Sequence, residues 1–166
     1  GQQRLASIYL FLWFCAVKEE RTDLFCKAAK SFSYQVRDTS ERFFDVLQKQ
    51  ENGDLAYLKD FKAYVNGTAE LDNFSWYKHG WSYDMTVCGA KKFLDAVREK
   101  AGQYFQNSNY TEVLLDDELC PISLILMVQN ESTIEYENMA ERENAAFEAE
   151  NRAAITYINM NARGKS

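Results

Sequence analysis

The sequence predicts an all-α fold, an antiparallel helical bundle of four to six helices. The chain of 166 residues contains one proline and seven glycines, so its turn signals are widely separated. Apolar residues recur at steps of three and four along several stretches, which is the spacing of a helix with one buried face. The length suffices for a sizeable core, and we predict one domain over residues 1–166.

The first of two long predicted helices covers residues 22–50. At 1.5 Å per residue such a helix is roughly 40 Å long and needs partner helices of similar length. Its apolar positions follow one another at alternating steps of four and three: Phe25, Ala29, Phe32, Val36, Thr39, Phe43 and Val46.

Residues 4–17 form a run that is apolar on nearly all sides. The part from Leu5 to Phe14 resembles the core of a signal peptide. It is too short to cross a bilayer, which needs about 20 apolar residues, so we predict no transmembrane span. We interpret residues 4–17 as a helix that is either central to the core or packed against another chain.

Turn residues divide the middle of the chain. Asn52-Gly53-Asp54 predicts a turn, and residues 55–65 predict a short helix that ends at Asn66-Gly67, a left-handed cap. A further helix is predicted to start at Ser82 or Asp84, with its apolar stripe at Val87, Ala90, Leu94, Val97, Ala101 and Tyr104.

The last third of the chain predicts three further elements. Thr111 can cap a short helix that continues to Leu119. Residues 122–128 are all-apolar but for one serine, and we favour a buried helix there. The second long helix is predicted over residues 132–162, because Ser132 and Glu135 have the spacing of a capping box.

The four cysteines predict two disulfides that clamp the helices together. None lies in a CxxC or Cys/His grouping, so no zinc site is indicated. In one continuous helix Cys15 and Cys26 would be about 16 Å apart, beyond the roughly 7 Å limit for a bridge. Each would then pair with Cys88 or Cys120, and we favour this version. A break near Thr22 would instead allow Cys15–Cys26 and Cys88–Cys120.

Four Asn-x-Ser/Thr sequons indicate a secreted or extracellular glycoprotein; the alternative is four accidental sequons and four buried free thiols in a cytosolic protein. About one would be expected by chance, and all four fall at predicted helix ends or loops, where glycans must lie. The net charge of −6 and the absence of any basic block longer than Lys91-Lys92 argue against a nucleic-acid partner. The predicted acceptors are Asn66, Asn73, Asn109 and Asn130.

The segment 71–83 concentrates aromatic residues without a helical period. Its even spacing predicts an extended connection whose rings fill a gap between helices. Alternatively the rings form a contact surface for a protein partner or for an apolar ligand, because Trp and Tyr are frequent in binding hot spots. The candidate contact residues are Trp76, Tyr77, His79, Trp81 and Tyr83.

The sequence carries no catalytic signature. Its single histidine excludes the paired Glu-x-x-His sites of di-iron bundles, and no nucleophile elbow or phosphate-binding glycine pattern occurs. We predict a protein that is not an enzyme, has no metal or cofactor, and binds a protein partner. The alternatives are a carrier of an apolar small molecule, held between the bundle and segment 74–83, and a structural subunit. In that subunit residues 5–17 and 122–128 would face other chains.

Overall fold

The computed structural model describes residues 2–34 and 37–122. The chain divides into two compact units, residues 1–123 and 124–166, and the described residues belong to the first. The predicted helix over 132–162, nearly all of the apolar run 122–128, and Asn130 lie outside the described residues. The organisation as a single domain stays a prediction.

The described residues are mainly helical, which confirms the all-α class. They form six α-helices and one hairpin of two-residue strands. In chain order the elements are α1 (Gln2–Lys18), α2 (Thr22–Ala28), α3 (Asp38–Gln48), β1 (Gln50–Glu51), β2 (Asp54–Leu55), α4 (Leu58–Val65), α5 (Met85–Tyr104) and α6 (Tyr110–Leu115).

Helix α1 lies at the centre of the core. It packs against α2, α4, α5 and α6, and its residues from Trp13 to Val17 are all buried. Residues 4–17 therefore form a helix of the core, one of the two positions that the sequence allowed, and a contact of its exposed residues with another chain stays a prediction. Among the described helices, none is both long enough and apolar enough to span a membrane, in agreement with the sequence prediction.

The predicted continuous helix over residues 22–50 is wrong. Helix α2 ends at Ala28, one 3₁₀ turn follows, and Phe32 adopts extended backbone (φ −83°, ψ 128°) before α3 begins at Asp38. Serine favours turns over helix interiors because its side chain competes for backbone hydrogen bonds, and Ser31 and Ser33 flank this break. The longest described helices are therefore α5, with 20 residues, and α1, with 17.

The predicted disulfide clamp is also absent. Cys15, Cys26, Cys88 and Cys120 are all free thiols. Burial, reinforced by the charge of Glu19, raises the pKa of Cys15, so this thiol stays protonated. The favoured pairing assumed one continuous helix from Cys15 to Cys26. This assumption is wrong as well, because the chain breaks between α1 and α2 at residues 19–21.

Two predicted turns are confirmed. Asn52 and Gly53 connect β1 to β2 with positive φ angles of 53° and 85°, as a type I′ hairpin requires. Helix α4 ends in a Schellman motif around Gly67. The Gly67 N–H donates to the carbonyl oxygen of Tyr64, and the Thr68 N–H donates to the carbonyl oxygen of Ala63.

The hairpin turn and helix α5 supply a matched pair of glycine substitutions. We expect Gly53→Ala to lower the free energy of unfolding by about 1 kcal/mol, because the left-handed φ disfavours a Cβ atom. At Gly89, inside α5, an added Cβ would meet no heavy atom within 4 Å among the described residues. Gly89→Ala is expected to raise the unfolding free energy by about 0.5–1 kcal/mol. Urea denaturation of both variants measures the two effects, and shifts of the same sign would contradict this account.

Candidate partner-binding site

The aromatic segment 71–83 is a connection between α4 and α5. It is not extended as predicted, because it contains two 3₁₀ turns, Leu71–Asn73 and His79–Tyr83. Glu70, the residue just before the segment, is bound to Arg98 of α5. The Arg98 guanidinium contacts both carboxylate oxygens of Glu70, at 2.9 and 3.0 Å. Some of the predicted contact residues are buried and others are exposed.

Two of the five predicted residues, Trp76 and Trp81, are buried. The Trp76 indole N–H donates to Asp60 Oδ2 at 2.9 Å, and its ring lies 5.6 Å from that of Phe61. Trp81 meets Phe43 of α3 edge-on, with the ring centroids 5.4 Å apart. The rings of Trp76 and Trp81 thus fill space beside α4 and α3, as the first interpretation predicted, whereas the rings of His79 and Tyr83 do not.

Tyr77 is half-buried and lies between buried Trp76 and the second 3₁₀ turn. Its ring stands perpendicular to that of Trp81, with the centroids 5.2 Å apart. Burial raises the pKa of Tyr77, although a hydrogen bond with Ser82 opposes this. Tyr77 therefore supports the Trp81 ring and exposes only part of its own ring.

Asp84 fixes the junction between the connection and α5. Its Oδ1 caps the helix by accepting from the N–H groups of Thr86 at 2.8 Å and Val87 at 3.2 Å. Its Oδ2 accepts from the hydroxyl of Thr39, at the start of α3. Burial raises the pKa of Asp84, but these hydrogen bonds and the nearby Arg37 hold it below its ordinary value. The carboxylate thus ties the N-termini of α3 and α5 together.

An exposed surface surrounds this fixed junction. Tyr83 and Met85 lie on either side of buried Asp84, and they are the most exposed large apolar side chains of the described residues, at 79% and 81%. His79 packs edge-on against Tyr83, with the ring centroids 5.6 Å apart. We call His79, Tyr83 and Met85 the 79–85 surface.

The side chain of Cys88 contacts the backbone of the second 3₁₀ turn. The thiol of Cys88, in the first turns of α5, lies 3.3 Å from the carbonyl oxygen of Ser82 and 3.9 Å from that of Trp81. Because Asp84 caps α5 and Cys88 lies against the backbone of Trp81 and Ser82, the C-terminal end of this turn is fixed to α5 and the 79–85 surface is preorganised. A preorganised surface loses less conformational entropy on binding.

Sequence reasoning missed Met85. The signal was present, because Met85 lies outside the apolar stripe of α5 that begins at Val87 and Ala90. An apolar residue off that stripe, directly after a capping aspartate, is expected at the surface.

The three described sequon asparagines, Asn66, Asn73 and Asn109, are exposed. Asn66 follows α4, and its side-chain oxygen accepts from Lys18 Nζ at 2.7 Å. Asn73 ends the first 3₁₀ turn, and Asn109 immediately precedes α6. All three lie at ends of secondary-structure elements, as the sequence predicted.

Glu19 is a second residue that sequence reasoning missed. It lies in the turn after α1, where its carboxylate accepts four hydrogen bonds at the start of α6. They come from Ser108 Oγ (2.5 Å), Tyr110 N–H (2.9 Å), Thr111 N–H (2.8 Å) and Thr111 Oγ1 (2.7 Å). No local pattern signals this contact, because its partners are some 90 positions further along the chain.

The described residues contain no cluster of metal-binding side chains. Among residues 2–34 and 37–122, no group of three or more His, Cys, Asp or Glu side chains is arranged to hold a metal ion. The 79–85 surface combines a phenol, an imidazole and a thioether, which suit van der Waals, stacking and hydrogen-bond contacts. No family model matches the chain, and no curated protein or solved structure is significantly similar to it.

Proposed function

We propose that this protein acts without catalysis, by binding a protein partner through the 79–85 surface. The observation that carries the proposal is the contrast within one short segment: Trp76 and Trp81 are buried, whereas Tyr83 and Met85 are exposed on a fixed junction. Exposed aromatic and Met side chains on a rigid support are typical of interface anchors. The antiparallel bundle arrangement stays a prediction.

The carrier alternative receives less support. It requires a cavity beside segment 74–83, whereas the rings of Trp76 and Trp81 pack directly against Phe61 and Phe43. The structural-subunit alternative also receives less support from α1, because its core residues are buried within this chain, although Leu5 and Ile122 are exposed.

We also propose that the protein is secreted or extracellular. The exposure of Asn66, Asn73 and Asn109 supports this, because glycan acceptors must lie at the surface. The four free thiols favour the opposite assignment, since cysteines in oxidising compartments are usually paired. The intact mass of the natural protein before and after glycosidase treatment decides between them: glycan mass is expected, and its complete absence would contradict an extracellular location.

A double substitution tests the proposed surface. We expect Tyr83→Ala with Met85→Ala to weaken saturable binding of the labelled full chain to intact cells of its source by at least about tenfold. The expected cause is the loss of two exposed anchors, with no change in far-ultraviolet circular dichroism.

The matched control is Tyr104→Ala, at the other end of α5. Tyr104 is also an exposed tyrosine, 53% accessible, and we expect its removal to leave binding within about twofold of the natural protein. Equal binding by the double variant and the natural protein would show that the 79–85 surface is not the contact.

A further inference from the structure

The three described sequons differ in the third residue, whose hydroxyl group is part of the acceptor motif. Ser75, which belongs to the Asn73 sequon, is exposed, and so is Thr68, which belongs to the Asn66 sequon. Thr111, which belongs to the Asn109 sequon, is completely buried. Exposure of the asparagine alone therefore does not make these sites equivalent.

The Asn109 sequon is closed by folding. The hydroxyl of Thr111 donates to Glu19 Oε2 at 2.7 Å, and the backbone N–H of Thr111 donates to the same oxygen at 2.8 Å. A transferase must engage the asparagine and the hydroxyl together. To reach Thr111 it would have to separate the start of α6 from Glu19.

The side-chain amide of Asn109 is nevertheless left free for modification. An asparagine immediately before a helix ordinarily caps that helix with its own side chain, but the Asn109 side chain makes no capping hydrogen bond. Glu19 caps α6 instead. A glycan already attached to Asn109 is therefore compatible with the docking of α6.

The Asn73 sequon remains open after folding. Asn73 and Ser75 are both exposed, and Asn73 is the last residue of a single 3₁₀ turn. The Asn66 sequon is also exposed, but Thr68 Oγ1 donates to the carbonyl of Ala63 at 2.9 Å, in the last turn of α4. Among the described sequons, the Asn73 sequon is thus the most accessible and the Asn109 sequon the least accessible.

We propose that Asn73 accepts an N-linked glycan on the folded chain, whereas Asn109 accepts one only before α6 docks onto Glu19. This inference rests on the extracellular location proposed above. In the transfer step, Asn Nδ2 bonds to the anomeric carbon of a lipid-diphosphate-linked oligosaccharide. The bond from that carbon to the diphosphate oxygen breaks, the diphosphate leaves with the electron pair, and Nδ2 loses one proton to a base of the transferase.

Two full-length variants that each retain one sequon test the proposal. In each, the other three acceptor asparagines are replaced by Gln, which leaves Asn73 alone or Asn109 alone. The folded variants are incubated with a purified oligosaccharyltransferase and a lipid-linked oligosaccharide, and glycan addition is followed by intact mass. We expect Asn73 to be modified at least about tenfold faster than Asn109, because modification of Asn109 requires local opening.

Glu19→Ala provides the specific perturbation and Glu20→Ala its control. Glu20 is an exposed neighbour that pairs with Lys62 at 2.8 Å, and among the described residues it has no hydrogen bond or ion pair to α6. We expect Glu19→Ala to raise the rate at Asn109 at least about fivefold without changing the rate at Asn73. Glu20→Ala is expected to change neither rate.

Three results would overturn the proposal: equal rates at Asn73 and Asn109 on the folded chain, no modification of folded Asn73, or no effect of Glu19→Ala at Asn109. Translation of both variants into microsomes separates this failure from that of the location. Both sites are expected to gain glycan there, because the chain enters unfolded. No glycan at either site in microsomes would contradict the extracellular location as well, and would leave the binding test of the 79–85 surface unaffected.

Discussion

Replacement of Trp13 by alanine is expected to lower the free energy of unfolding by about 3–5 kcal/mol. Trp13 is fully buried in α1, and its ring lies 5.0 Å from Phe61 and 6.5 Å from Tyr64, both in α4. Its indole N–H donates to the carbonyl oxygen of Leu47 at 3.1 Å, at the end of α3. The substitution would leave a cavity where three helices meet. Urea denaturation followed by far-ultraviolet circular dichroism measures the loss.

Two further variants keep this prediction testable if Trp13→Ala does not fold. Trp13→Phe retains an aromatic ring but removes the donor to Leu47, and we expect a loss of about 1–2 kcal/mol. Leu5→Ala alters an exposed residue of the same helix and is expected to cost less than about 0.5 kcal/mol. A Trp13→Phe variant as stable as the natural protein would contradict the role given to the indole hydrogen bond.

Replacement of Glu19 by alanine is expected to lower the free energy of unfolding by about 2–3 kcal/mol at neutral pH. The carboxylate accepts hydrogen bonds from two backbone N–H groups at the start of α6, and its loss leaves the buried Thr111 hydroxyl without its partner. Glu20→Ala, which removes only an exposed ion pair with Lys62, is expected to cost much less than Glu19→Ala. Chemical denaturation of both variants gives the comparison, and equal losses would contradict a special role for Glu19.

The stabilising effect of Glu19 should depend on pH in a defined direction. Burial raises the pKa of Glu19, but the hydrogen bonds from Ser108, Thr111 and Tyr110 outweigh burial and hold the pKa below its ordinary value. A carboxyl whose pKa is lower in the folded state stabilises the fold fully above its unfolded pKa of about 4.3, and loses this effect as the pH falls through the folded pKa. The stability difference between the natural protein and Glu19→Ala should therefore shrink below about pH 4. The pKa of Asp84 is also lowered, but Asp84 is present in both proteins, so its contribution to the pH dependence of stability cancels in this difference.

Local patterns predicted those elements that depend on local contacts. The apolar character of residues 4–17 identified α1, and the stripe that starts at Val87 identified α5. Asn52-Gly53 and Asn66-Gly67 were recognisable because left-handed backbone strongly selects these residue types. Each of these signals acts within one turn or one helix.

The failure over residues 22–50 has a different origin. Phe32 has the correct spacing for a helical stripe, yet it reaches the core from extended backbone, where its ring stacks on Tyr9 of α1 with the centroids 3.8 Å apart. A periodic pattern indicates that a residue is buried, but it does not indicate whether helical or extended backbone places the residue there. Here the contact with α1 prevails over the helical spacing.

The candidate site was predictable as a segment but not residue by residue. Trp76 and Trp81 are buried because they pack against Phe61 of α4 and Phe43 of α3, whereas Tyr83 is exposed, and no local pattern distinguishes the three. Glu19 lies beyond any local rule, because its hydrogen-bond partners become neighbours only when α6 docks.

The burial of all three tryptophans has an optical consequence. Trp13, Trp76 and Trp81 occupy the interior, and Trp13 and Trp76 both contact the ring of Phe61. Indole fluorescence in such apolar surroundings is blue-shifted, and contact with water on unfolding moves it to longer wavelength. The intrinsic emission of this protein thus reports on the shared interior of α1, α4 and the 71–83 connection, without an added dye.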